Sequence, residues 1–329
     1  MNTVVTGGAG FIGSHLTERL LTEGHSVTVL DNFVTGRREN LIPVGKSRKL
    51  IFAEVDIADP AVDLCKYFRG IDWVFHLAAL ADIVPSIVNP REYHRVNVTG
   101  TVRVLEASRA AMVKRLIYTA SGSCYGFPEK IPTDESVSIS PQYPYALTKY
   151  AGEEYALHWG LVFKLPVISL RLFNVFGPRS RTSGTYGAVF GTFLAQKLAG
   201  KPLTVVGDGK QSRDFVFVTD VVDAFMKAAK SNVLNEVFNV GSGQSHAVNE
   251  LVNLFGGPVV HIPKRPGEPE KTQADIRKIK KMLGWKPQVS FAQGVKKILD
   301  KIDYWQDAPV WTPAKIKKAT KEWFKYLSV

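Results

Sequence analysis

Tyr145 and Lys149 stand four residues apart in a stretch with helical patterning, which puts both side chains on one helix face. A free tyrosine has a pKa of about 10 and is a poor base near pH 7. An ammonium beside it stabilises the phenolate and lowers that pKa, which makes the pair suited to removing a proton from an alcohol. Tyr143, six residues from Lys149, is expected to face elsewhere. A third member should come from the end of the preceding strand, where Thr119-Ala120-Ser121-Gly122-Ser123-Cys124 supplies hydroxyls. Strand alternation puts Ser121 and Ser123 on one face and Cys124 on the other.

Such a set needs a rigid frame, and the patterning provides one. Strand-like apolar runs at 3–6, 26–31, 49–55, 73–77, 115–119 and 167–170 alternate with helical patterns at 10–23, 91–111 and 145–160. Continuous Val/Ile/Leu-rich strands alternating with helices predict a parallel sheet covered on both faces. The expected fold is α/β, a Rossmann-type doubly wound parallel sheet with a smaller, mixed α/β substrate-binding lobe. Residues 1–172 form the first unit, with return segments near 214–241, and 173–329 form the second. Thr312 as N-cap and Pro313 at the first helical position open an amphipathic helix over 313–327. Its apolar face, Ile316, Ala319, Trp323, Phe324 and Leu327, is expected to pack on the protein's own body.

The first turn of this frame has its own chemistry. Gly7-Gly8-Ala9-Gly10-Phe11-Ile12-Gly13 joins the first strand to the first helix, and an acid, Asp31, ends the second strand. That context is the dinucleotide-binding fingerprint. Gly7 and Gly10 let the backbone approach a pyrophosphate at a helix N-terminus, and Gly13 allows close helix–strand packing. Asp31 would bond both ribose hydroxyls and repel a 2′-phosphate, which favours NAD over NADP despite Arg37 and Arg38 nearby. Asp56 and Ile57, after the third strand, are placed to meet the adenine. A positively charged nicotinamide ring would add to the effect of Lys149 on Tyr145.

Composition narrows the class. The chain has 329 residues, two cysteines and a formal charge of +12, with a mean hydropathy of −0.03. Cys65 and Cys124 are too few for a disulfide framework and lack zinc-ligand spacing, so no metal is expected. No run approaches the ~20 apolar residues of a membrane helix, and the start reads as a strand and not a signal peptide. A soluble cytoplasmic protein is the expectation. Residues 261–329 hold sixteen Lys/Arg against seven Asp/Glu, without interleaved aromatics, so the charge reads as a solvated face and not a nucleic-acid groove.

The ordered landmarks resemble the extended short-chain dehydrogenase/reductases, in the nucleotide-sugar epimerase and dehydratase branch. Besides the residues above they are His76-Leu77-Ala78-Ala79, Asn97-Val98-Thr99-Gly100-Thr101, Arg171-Leu172-Phe173-Asn174, Gly207-Asp208-Gly209, Arg213-Asp214-Phe215 and Arg265-Pro266-Gly267-Glu268. The match runs from Thr3 to about Trp285, and the tail beyond about residue 305 exceeds what the family leads one to expect. The resemblance implies bound NAD contacted by Gly7, Gly10, Phe11, Ile12, Gly13, Asp31, Asn32, Asp56, Ile57, Leu77, Ala78, Ala79, Tyr145 and Lys149. It implies that Asn174, Arg213 and Arg265 hold a substrate diphosphate, with Glu268 near the nucleotide ribose and Ser123 and Thr272 beside the sugar. It also implies a homodimer built from the helices at 91–111 and 145–160.

The residues after Ser121 separate the reactions of this branch. Dehydratases carry Asp-Glu there, and decarboxylating relatives keep a glutamate at the position of Ser123. Here Gly122 and Ser123 cannot do that acid–base work, and Cys124 is one residue off the position used by cysteine-dependent epimerases. What remains is 4-epimerisation of a UDP-hexose, UDP-Glc/UDP-Gal or UDP-GlcNAc/UDP-GalNAc, through a transient 4-keto sugar. Tyr145 removes the 4-hydroxyl proton, Ser121 bonds the same oxygen, and Lys149 holds the nicotinamide ribose. Thr272, small, would admit an N-acetyl group. The alternatives are a UDP-uronic acid C4 epimerase (Arg179 and Arg181 as carboxylate partners, though both are expected to be solvated), a C2 epimerase of a CDP-sugar, and a silent NAD- or nucleotide-sugar-binding regulator.

Overall fold

The computed structural model describes residues 1–180 and 189–327. Seven parallel strands form the main sheet: β1 (Asn2–Thr6), β2 (Ser26–Asp31), β3 (Leu50–Glu54), β4 (Trp73–His76), β5 (Arg115–Ser121), β6 (Val167–Leu172) and β7 (Glu236–Val240). Their order across the sheet is β7-β6-β5-β4-β1-β2-β3, and every adjacent pair is parallel. The chain therefore reverses direction between β1 and β4. In such sheets ligands bind outside the carboxyl ends of the strands at this switch point. The Gly7–Gly13 turn, Asp31, Asp56, the His76–Ala79 run and Ser121 all lie at those ends, whereas Asn97 and the Tyr145/Lys149 pair sit on helices beside them.

Both sheet faces are covered, which is why the strands read as unbroken apolar runs. On one side α1 (Phe11–Thr22) and a helix at Val218–Lys230 pack on a core that includes Leu16, Leu20, Phe75, Phe225 and Phe238. On the other, α2 (residues 90–110) and α3 (Pro144–Phe163) enclose Val104, Leu105, Tyr118 and Ala156. The helix α2 runs through three consecutive segments, Pro90–His94, Arg95–Thr99 and Gly100–Ala110, and the middle one is a π-helical turn. That turn holds Asn97, whose amide bonds both the N–H and the carbonyl of Leu80 (2.8 and 2.9 Å) and also Thr148 Oγ1 (3.0 Å). The insertion thus ties the loop after β4 to α3, a usual use of such turns near functional sites.

Past β6 the chain builds a smaller body around an aromatic core of Phe176, Phe190, Phe193, Phe215, Phe217, Phe255, Phe291 and Trp305. Among the described residues three two-stranded sheets serve this region, and β7 returns to the edge of the main sheet beside β6. The tail differs from its expectation of one helix over 313–327. It forms α4 (Pro313–Ala319) and α5 (Lys321–Leu327), parted at Thr320, whose buried hydroxyl donates to the Ile316 carbonyl at 2.9 Å. Such back-bonding competes with the regular ladder and bends helices. Ile316 and Trp323 are buried against the body, and the lysines between them face outward.

Among the described residues no helix is long and apolar enough to cross a membrane, and no cluster of His, Cys, Asp and Glu could hold a metal ion. Cys65 and Cys124 are both free.

Candidate active site

One cleft of about 670 Å³ runs along the carboxyl ends of β1, β2, β4, β5 and β6 and continues into the smaller body. Its walls bring together Gly7, Gly10, Phe11, Ile12, Gly13, Asp31, Asn32, Asp56, Ile57, Leu77, Ala78 and Ala79 at one end. At the other stand Ser121, Ser123, Tyr145, Asn174, Arg213, Arg265, Glu268 and Thr272. Residues as far apart in the chain as Gly7 and Trp323 thus share one cavity of a size suited to small-molecule binding.

At the first end the backbone makes the site. Gly7 has φ +71°, and a Cβ on it would stand 2.7 Å from the Ala78 nitrogen; only glycine leaves that cradle open. A Cβ on Gly13 would fall 2.1 Å from the Gly7 carbonyl oxygen, so the helix can approach the turn only without a side chain there. The N-cap, Gly10, offers no side-chain cap to α1, which leaves uncapped N–H groups facing the cleft as an anion site. Asp31 accepts from Ala9 N and Phe33 N, both at 2.9 Å. Burial raises its pKa, and those two N–H groups draw it back. Arg38 is occupied by Glu54 at 2.6 Å and lies over the Phe33 ring. Arg37 lines the cleft, lying over the ring of Tyr304, whose hydroxyl donates to Asn40. Asp56 is held by Arg95 at 2.9 Å. These features suit a dinucleotide, and the hydroxyl of Thr119 is buried without a partner on the same wall.

At the other end Ser121 ends β5 and caps the turn Gly122–Tyr125, its hydroxyl accepting from Ser123 N at 3.2 Å. The two serine hydroxyls are 2.8 Å apart. They share a face because of this capped 3-10 turn; strand alternation, the reason expected from sequence, has already ended. Cys124 points into the core, and burial pushes its thiol up to about 12, so it is neither placed nor ionised for catalysis.

Tyr145 and Ser121 interact, and the serine hydroxyl draws the phenol pKa down while burial, the larger effect, raises it. The chain's own residues therefore leave Tyr145 above its ordinary value, and the expected lowering requires positive charge that a bound cofactor would add. Lys149 does not line the cleft. It is buried one step behind the wall, with Nζ 4.5 Å from the Tyr118 ring centroid, and burial lowers its ammonium to about 7. Tyr143 corrects another expectation: it lines the cleft beside Tyr145, its hydroxyl interacting with Ser123. Being only two residues apart does not separate them, because Tyr143 is the extended N-cap of α3 and is not yet in the helix.

Glu268 joins the two arginines, accepting from Arg265 Nη1 at 2.9 Å and Arg213 Nη2 at 3.3 Å. Both guanidiniums are thereby held at the cleft wall, as a diphosphate would require. Thr272 Oγ1 accepts from Asp214 N at 3.3 Å, so its small side chain is fixed. Arg179, expected to be solvated, is not. It pairs with Glu18 at 2.6 Å and lines the cleft, while Nη1 is buried without a partner. Arg181 lies outside the described residues. Sequence reasoning missed Tyr304 as a cleft residue and, on the far side, Trp323, which also lines it.

Comparison with known proteins agrees with this geometry. The model of the NAD dependent epimerase/dehydratase family matches residues 3–241. A UDP-glucose 4-epimerase of Mycolicibacterium smegmatis is 40% identical over 309 residues, covering 91% of this chain and 98% of that protein. Among solved structures, a UDP-N-acetylglucosamine 4-epimerase from Methanobrevibacter ruminantium in complex with UDP-N-acetylmuramic acid superposes with a TM-score of 0.85. It is 33% identical, over 91% of this chain and 98% of that one. A UDP-glucuronic acid 4-epimerase from Bacillus cereus in complex with UDP-glucuronic acid and NAD gives 0.86 at 31% identity, over 92% and 99% of the two chains. The chain belongs to the NAD dependent epimerase/dehydratase family, with NAD as its cofactor.

Proposed function

We propose that this protein inverts the configuration at C4 of a UDP-linked hexose, of the UDP-Glc/UDP-Gal or UDP-GlcNAc/UDP-GalNAc type. The observation that carries the reading is one cleft that joins Ser121 and Tyr145, with Gly122 and Ser123 in place of an acidic pair, to the Arg213–Glu268–Arg265 cluster. The enzyme is a nucleotide-sugar 4-epimerase, an isomerase with no net redox change. NAD, when bound, supplies a hydride acceptor that returns the hydride to the same carbon. Tyr145 takes the 4-hydroxyl proton and later gives it back, and Ser121 bonds the same oxygen. Lys149, one helical turn on from Tyr145, would favour the phenolate only in its protonated form, and the remaining positive charge would come from the bound cofactor. Arg213 and Arg265 anchor the diphosphate, with Asn174 beside them, which leaves the sugar free to turn over and present its other face.

The absence of an acid–base pair after Ser121 separates this reading from dehydration, since no carboxylate stands there to move protons at the neighbouring carbons. Thr272, small and held by Asp214, leaves room for an N-acetyl group. A second reading, a UDP-uronate substrate, draws on Arg179, whose buried Nη1 can meet an anionic group. We also propose a homodimer across α2 and α3, because Leu147, Tyr155, Leu161, Val162 and Phe163 of α3 are exposed and an apolar helix face of that kind suits a two-fold contact. Light scattering should then give a mass near twice 36.4 kDa. The unpaired cysteines suit a reducing compartment, the cytoplasm.

The reading is tested by feeding the purified protein UDP-glucose, UDP-GlcNAc and UDP-glucuronic acid separately and separating the products by chromatography. A galacto epimer from either of the first two is expected. Conversion of the uronate alone would favour the second reading, and no conversion of any would refute both.

A further inference from the structure

The tail from residue 311 reaches back to the substrate half of the cleft. Its root is anchored: the Trp311 carbonyl accepts from Gln196 Nε2 at 2.7 Å, and Ile316 packs with Val206 and Ile262. From there α5 crosses two parts of the cleft mouth. It packs against the helix Ile83–Val88, whose first residue lines the cleft. On the opposite side it grips the loop that carries Arg265 and Glu268. Trp323 Nε1 donates to the Pro266 carbonyl at 2.6 Å, and the Arg265 guanidinium lies 5.4 Å from the centre of the Trp323 ring. One helical turn on, Leu327 covers Gly267, where a Cβ would stand 3.4 Å from the leucine.

Arg265 is thereby held from two sides, by the Glu268 carboxylate and by the indole. An arginine kept in place loses less freedom when it meets a phosphate, so its holder contributes to affinity without taking part in chemistry. We propose that Trp323 is a positioning residue for Arg265, and that α5 forms the outer wall of the nucleoside-diphosphate site. The tail therefore sets how tightly a substrate diphosphate is held. This inference rests on the reading of Arg265 as a diphosphate ligand.

The test uses the full chain with its NAD, and UDP as the probe. Loss of a desolvated cation–π contact and its supporting hydrogen bond should weaken UDP binding about tenfold or more in Trp323→Leu by calorimetry. Trp323→Phe, which keeps a ring, should recover part of the loss. In turnover the effect should appear in KM and not in kcat, a split that general loosening of the fold would not produce. Hydrogen exchange on the unaltered protein gives a second measurement that does not depend on a variant folding. UDP should slow exchange in 264–269 and in 321–327 together. UDP affinity in Trp323→Leu equal to that of the unaltered chain would overturn the inference, as would protection of 264–269 without 321–327. Either result leaves the epimerase reading intact, whereas failure of the unaltered chain to bind UDP would overturn both.

Discussion

The rings of Tyr143 and Tyr145 lie parallel to within 7°, with centroids 6.3 Å apart, on the same wall of the cleft. Both present phenols near the serines after β5, yet only Tyr145 interacts with Ser121, while Tyr143 turns to Ser123. The proposed proton transfer belongs to Tyr145 alone. Tyr145→Phe should therefore lower kcat by at least ~10²-fold, the scale of general-base catalysis. Tyr143→Phe should lose much less, and comparison of the two under saturating substrate checks the assignment.

Lys149 offers a test through pH. Its folded pKa, about 7, lies below the ordinary lysine value because burial disfavours the charged form. Between those two values the unfolded chain binds more protons than the folded one, so this group makes stability rise with pH over the window from about 7 to about 10. Above it, the raised pKa values of buried tyrosines such as Tyr118 reverse the trend. Lys149→Met should flatten the rise in denaturant midpoint between pH 7 and 9. An unchanged slope would show that Lys149 is not held as described.

On the acid side His76 acts in the opposite part of the scale. Burial lowers it to about 3, and its two ring nitrogens are engaged by Thr6 and Thr101. The unfolded histidine takes up a proton below about 6.5, so its share of stability is present above that pH and is lost as pH falls toward 3. His15, lowered to about 4 by burial beside the Pro178 carbonyl, adds to the same loss. Thermal melts of the unaltered protein and of His76→Gln should differ in steepness between pH 6.5 and 4, with the variant falling less.

The catalytic helix rests on an ion pair that no proton transfer uses. Arg171 of β6 meets Glu153 of α3 at 2.6 Å, both nearly inaccessible, with Ser169 and Tyr125 completing their hydrogen bonds. Removing one partner of a buried pair leaves the other charged and desolvated, which costs about 3–5 kcal/mol. Glu153→Gln should show a loss of that order in denaturant unfolding, with a smaller effect on KM.

The features legible in the sequence were local ones. Gly7, Gly10 and Gly13 with Asp31 lie within one turn and one strand end, and Tyr145 lies on one helix, where spacing fixes geometry; Lys149, four residues on, does not line the cleft. Unbroken apolar strands alternating with helices, from β1 to β6, set the sheet. What the sequence left hidden depends on contacts across the chain. Trp323 meets Arg265 only because the tail folds back, and Tyr304 reaches Arg37 from more than 260 positions away. Helical spacing does not apply to Tyr143, which precedes the helix as its extended N-cap. The bend at Thr320 was missed because apolar periodicity carries through it, while the interruption comes from one hydroxyl.

The central claim is that the hydrogen at the sugar C4 leaves and returns to the same carbon while Tyr145 handles only the hydroxyl proton. UDP-glucose deuterated at C4, incubated with the protein without added NAD and followed by proton and deuterium NMR, tests this directly. UDP-galactose that keeps its deuterium at C4 is expected, formed with cofactor that copurifies. A galacto product whose C4 deuterium has been replaced from solvent would contradict it, as would the absence of any epimer from this and from UDP-GlcNAc when NAD is supplied.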